Sequence, residues 1–112
     1  MSQCSFIVSL MPMEVMDKVK VEEDSDLVYE EFHDIGNGKY QGTLIFEKYF
    51  MRTSSRAALV VLVNNFNGKT VVTSVATGSS QGMIFSFDWG AADSFSDSIK
   101  DILESYIIEY MD

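Results

Sequence analysis

Between Gly78 and Asp93 the chain reads GSSQGMIFSFDWGAAD: a small polar loop, an alternating run, then Gly-Ala-Ala before a periodic segment. Met83, Phe85, Phe87 and Trp89 fall on one face of a strand read at period two. Four side chains of that size need a cover. The Gly90-Ala91-Ala92 hinge predicts that the following helix folds back over its own strand, which would close the core at this point.

At 112 residues with 46% hydrophobic content the chain is long enough for one core, so residues 1–112 are read as a single α+β domain. No apolar run approaches the ~20 residues of a membrane span, and MSQCSFIVSLMPME lacks the basic start and cleavage site of a signal peptide. The expected location is the cytoplasm. A lone Cys4 excludes an intramolecular disulfide and a cysteine zinc cluster, and its alternating context makes it a small core hydrophobe. The net charge of −9 opposes phosphate backbones and anionic lipid, so neither nucleic acid nor a membrane is expected as partner.

Cys4, Phe6, Val8 and Leu10 alternate with Ser5, Ile7 and Ser9 as a first strand. Pro12 suits the first turn of a helix, predicted from Met13 or Glu14 to about Glu23 with Val15, Met16 and Val19 on one side. The valines of KVKVE also suit a strand. Leu27 to Ile35 mixes apolar residues with three acids and a histidine, the composition of a guarded edge strand. Gly36-Asn37-Gly38 turns the chain into Lys39 to Met51, and after RTSSR the run AALVVLVNNF is apolar at both alternating positions, predicting a central strand covered on both faces. Asn67-Gly68 predicts a type I′ turn, Lys69 to Thr77 returns, and Gly78 to Gly82 makes a third reversal. Four or five strands then form an antiparallel meander.

Phe95, Ile99, Ile102, Leu103, Tyr106 and Tyr110 form the stripe of a long amphipathic helix, with Ser94 and Asp97 as a variant capping box. Ile108 falls off that stripe, among Asp97, Asp101 and Glu104. It is either an ordinary exposed isoleucine or an interface contact.

The order strand, helix, meander, long C-terminal helix resembles the helix-grip folds and the TATA-binding half-domain. That resemblance implies a β-α-β(4–5)-α arrangement with a curved antiparallel sheet packed against the last helix, sometimes over a ligand cavity. EKYFMRTSSRAALVV (Glu47 to Val61) and SSQGMIFSFDWGAADSF (Ser79 to Phe95) resemble the two characteristic blocks of a family of small uncharacterised bacterial proteins, which carries no activity to transfer.

Chemistry-bearing constellations are sparse. His33, the single histidine, sits beside Asp34 with no nucleophile motif near it. Asp88 alternates away from the aromatics, and is an ordinary carboxylate unless that face lines a cavity. GSSQG has neither the P-loop ending nor Rossmann spacing. Arg52 and Arg56, with Lys48 nearby, form the clustered bases and are the candidate anion site, although pairing with the surplus acids accounts for them equally. No calcium loop or zinc-ligand spacing occurs, so no metal and no cofactor is expected. Met13, Met16 and Met83 with Phe85, Phe87 and Trp89 are the candidate lining of an apolar site, against ordinary core filling.

The reading is a non-catalytic binding or interaction domain. It either holds a small apolar ligand between sheet and last helix or self-associates as a homodimer. The alternative is a small enzyme using Asp88 or His33 with an Arg52/Arg56 clamp.

Overall fold

The computed structural model describes residues 2–51, 54–79 and 89–111, the side chains of 2, 55, 79 and 89–94 excepted. Met83, Phe85, Phe87, Asp88 and Arg52 therefore lie outside the described residues. Along the described chain run β1 (Ser2–Val8), α1 (Pro12–Glu22), β2 (Asp26–Gly36), β3 (Lys39–Phe50), β4 (Ser55–Asn64), β5 (Thr70–Ser79), α2 (Trp89–Leu103), a 3-10 turn (Glu104–Tyr106) and β6 (Ile107–Met111). The strands form one antiparallel sheet in the order β2-β3-β4-β5-β1-β6.

Helix α1 starts where proline is tolerated, at Pro12, and Glu14 reaches back to accept the Met11 N–H at 2.8 Å. Pro12, Val15, Met16 and Val19 are its buried positions, one face of a 3.6-residue period. They meet Leu44 and Phe46 of β3, Leu59, Val61 and Val63 of β4, Val72 and Ala76 of β5, Phe6 of β1, and Phe95, Ile99 and Leu103 of α2 in one continuous core. Both helices therefore lie against the same face of the sheet. Ser74 confirms the side, since its buried hydroxyl donates to the Ser96 carbonyl of α2 at 2.8 Å.

Of the two glycine turns, the first is the hairpin expected of it and the second is not of the expected type. Asn37 (φ 58°) and Gly38 (φ 74°) both have positive φ, as a type I′ turn requires, and join β2 to β3. At Asn67-Gly68 only Gly68 has positive φ, 85°. There the Gly68 N–H donates to the Asn65 carbonyl, making a longer loop around Phe66 and Asn67. Asn65 explains the choice. Its side chain accepts the Tyr40 N–H at 2.7 Å and donates to the Gly38 carbonyl at 3.0 Å, binding this loop to the start of β3.

Three further expectations are corrected. Gly90-Ala91-Ala92 is not a hinge but part of α2, which begins at Trp89, so Ser94 lies inside the helix rather than capping it. The helix does not continue to Tyr110: it ends at Leu103, and residues 107–111 pair with β1. Backbone demand decides this, because without β6 the outer edge of β1 would leave its N–H and C=O groups unpaired beside the core residues Phe6 and Val8. Ile108 is the extra residue of an irregularity in that pairing, where Ile7 faces Glu109 and Val8 faces Ile107. Finally, among the described residues β4 is covered by helices on one face only.

Candidate functional site: an uncovered sheet face

On β4 the odd positions Ala57, Leu59, Val61 and Val63 are buried under the helices. The even positions Ala58, Val60, Leu62 and Asn64 point the other way and remain partly or fully exposed, Leu62 at 39%. Register extends this second face across the sheet. Val60 stands between Ile45 of β3 and Val75 of β5, and Leu62 between Thr43 and Thr73. Val71 and Thr73 continue to Ile7 and Ser5 of β1, the two hydroxyls of Ser5 and Thr73 lying 3.0 Å apart. Among the described residues no helix packs on this side.

The middle of the face is thus aliphatic and hydroxylic, and its charges sit at the rim. On β2 the residues facing this side are Tyr29, Glu31 and His33, opposite Ile45, Thr43 and Gln41. The Tyr29 hydroxyl donates to Glu31 at 3.0 Å, and His33 Nε2 lies 3.2 Å from the same carboxylate oxygen. The hydrogen bond from His33, then that from Tyr29, holds the Glu31 carboxyl below the ordinary carboxylate range. The bond to Glu31 raises the Tyr29 phenol. A depressed folded pKa contributes stability that is present above the unfolded carboxylate value and lost as pH falls through the Glu31 value. All three groups are solvated, so the contribution is small. In an NMR titration we expect Glu31 to titrate below a free glutamate and His33→Ala to return it upward; an unchanged midpoint would remove this account of the cluster.

At the opposite end of the face Arg56 pairs with Glu47 at 3.0 Å and lies over the Tyr49 ring. Lys48 is on the helix side instead, its ammonium near the rings of Phe50 and Phe95. Lys48 and Arg56 therefore do not share a surface. Nor do His33 and Arg56 converge: Gln41, opposite His33, pairs with Asn64, and Arg56 lies eight residues along β4 from there, about 26 Å at strand rise.

The methionines separate in the same way. Met16 is buried 2% exposed against Gly42, whereas Met13 is 48% exposed on α1. Trp89 opens α2. Cys4 is half-buried on the core side, and burial, followed by the charge of Asp97, pushes its thiol up. A polar contact not foreseen from sequence joins the helices: the Glu23 carboxylate, 9% exposed, accepts from Ser25 and from Ser98 of α2. Its signal was hidden in an acidic run, because only the tertiary approach of α2 distinguishes Glu23 from its neighbours. Among the described residues no three His, Cys, Asp or Glu side chains are grouped to hold a metal ion, and no helix is long and apolar enough to cross a membrane.

Among the described residues these features define an α+β domain with a six-stranded antiparallel sheet, two helices on one side and a largely neutral face with no helix on the other. The chain belongs to a family of unknown function (DUF6054), whose model matches residues 2–107. No curated protein and no solved structure matches it.

Proposed function

We propose that this chain is a non-catalytic interaction domain of the cytoplasm whose working surface is the uncovered sheet face. One observation carries the reading. In a chain of net charge −9, the residues around Val60 and Leu62 form an uncharged surface of aliphatic and hydroxyl-bearing side chains across β3, β4 and β5, part-exposed at its centre although Thr43 is buried, and apolar surface of this kind is costly to leave in water. The helix side favours this over a ligand held between sheet and helix, because Phe6, Met16, Phe46, Leu59 and Ile99 fill the described part of that space with almost no exposure.

The helix-grip or TATA-binding-like arrangement belongs to the same proposal. It is supported by β1 lying next to β5, by the meander running from there to β2, and by α2 resting on β1, β5 and β4.

The test is thiol labelling in a Cys4→Ala background. A cysteine at position 62 (Leu62→Cys) is compared with one at position 101 (Asp101→Cys) on the exposed side of α2, in intact cells of the source and in dilute purified protein. We expect position 62 to be protected in the cell and reactive when purified, with position 101 reactive in both. Equal reactivity of position 62 in the two settings would remove the proposal.

A further inference from the structure

We infer that the occupant of the uncovered face is a second copy of this chain, seated face to face about a twofold axis to make a sandwich with the helices outside. The inference rests on the interaction reading above and adds the partner to it. Three observations select it.

Shape is the first. The face is built from strands of five to twelve residues, and at ~3.3 Å per residue and ~4.8 Å between strands its projected area, charged rim included, is about 800 Å². A standard stable interface buries about 800 Å² on each partner. A sheet lined by aliphatic and threonine side chains is best matched by another such sheet, packed about 10 Å away with interdigitating rows.

Charge is the second. Two copies of net charge −9 repel, so a self-contact must use the surface with the fewest acids. Within β3, β4 and β5 the rows through Ile45, Val60 and Val75 and through Thr43, Leu62 and Thr73 carry none, the second reaching Glu31 only at the β2 rim. A twofold contact sets this patch against itself, where it meets no like charge. A basic partner would have no counter-charge to read there.

The third is the state of the edges. Joining two β2 edges would bring Asp26, Glu30, Glu31 and Asp34 of one copy against the same acidic strand of the other. That route is closed by repulsion, and β6 offers only five residues.

Sedimentation equilibrium on the full chain, from about 1 to about 200 µM, tests the inference. We expect a monomer–dimer equilibrium for the natural chain, weakened at least about thirty-fold by Leu62→Asp and by Thr73→Arg, as for the loss of central interface contacts. Ile108→Asp on the β6 edge and Val21→Asp on the outside of α1 should leave it unchanged. Circular dichroism at the dilute end verifies that each variant is folded, and using two face variants keeps the test intact if one fails. A natural chain monomeric throughout the range would overturn the inference, as would a dimer lost in Ile108→Asp and retained in Leu62→Asp and Thr73→Arg. If the chain is monomeric while position 62 is still protected in cells, another molecule covers the face and only the second-copy inference falls. If position 62 is unprotected as well, both fall.

Discussion

Leu59→Asp is expected to leave the chain unfolded, while Leu62→Asp, three residues along the same strand, folds. Leu59 is fully buried beneath the helices among Phe6, Phe46, Val61 and Val72. A carboxylate there is set among apolar side chains, and burying a charge in such an interior costs several kcal/mol, added to about 2–5 kcal/mol for the lost leucine packing. A domain of this size is stable by only about 5–15 kcal/mol, so this single change removes most or all of the margin. Leu62 is 39% exposed on the other face, where a charge keeps its water and the loss stays below about 1 kcal/mol. Urea unfolding at about 1 µM, where self-association makes no contribution, compares the two. Similar midpoints would mean that the assignment of the two faces is wrong.

The second large effect is at Gly42, which sits on β3 directly under α1. A Cβ built there would lie 2.6 Å from Met16 Sδ and 2.9 Å from its Cε, closer than side chains tolerate. Met16 is itself buried, at 2% exposure, so its flexible thioether has little room to withdraw. We expect Gly42→Ala to cost about 1–3 kcal/mol and Gly42→Val more, as for other overpacked cores. Met16→Ala alone should cost about 2–5 kcal/mol by opening a cavity. Because valine at position 42 fills part of that cavity, the double variant should be more stable than the sum of the two losses by at least about 1 kcal/mol. Additivity within about 0.5 kcal/mol would show that the two residues do not meet.

Met16 and Gly42 show what was legible in the sequence and what was not. The apolar spacing of Val15, Met16 and Val19 announces a helix face, and Pro12 with Glu14 announces its start. Nothing local says that Met16 is matched to a glycine twenty-six residues later, so its alternative as a pocket residue stayed open. Strand positions from β1 to β5 followed from alternation and from the Gly and Asn turns, because both signals are local. The longer loop at Asn67-Gly68 did not follow: it is held by Asn65 reaching across to Tyr40 and Gly38.

The end of α2 was misread for a similar reason. Tyr106 and Tyr110 continue the helical stripe by coincidence of spacing, while Ile108, which breaks it, was the sign that the helix had stopped. Strand β6 forms because β1 needs a neighbour, a demand that no window around Ile107 reveals. The run AALVVLVNNF was read as covered on both faces because it is apolar at both positions. Among the described residues only odd positions of this run are fully buried. That mismatch between a run apolar at both alternating positions and a sheet that the described helices cover on one side is the physical basis for proposing a partner on the other side.

The most direct measurement is solvent paramagnetic relaxation of the methyl groups of β4 in dilute protein, using a neutral soluble agent. The account predicts strong relaxation at Val60 and Leu62 and little at Leu59, Val61 and Val63. Equal shielding of both sets would contradict it, because the face assigned to a partner would then already be covered by the chain itself.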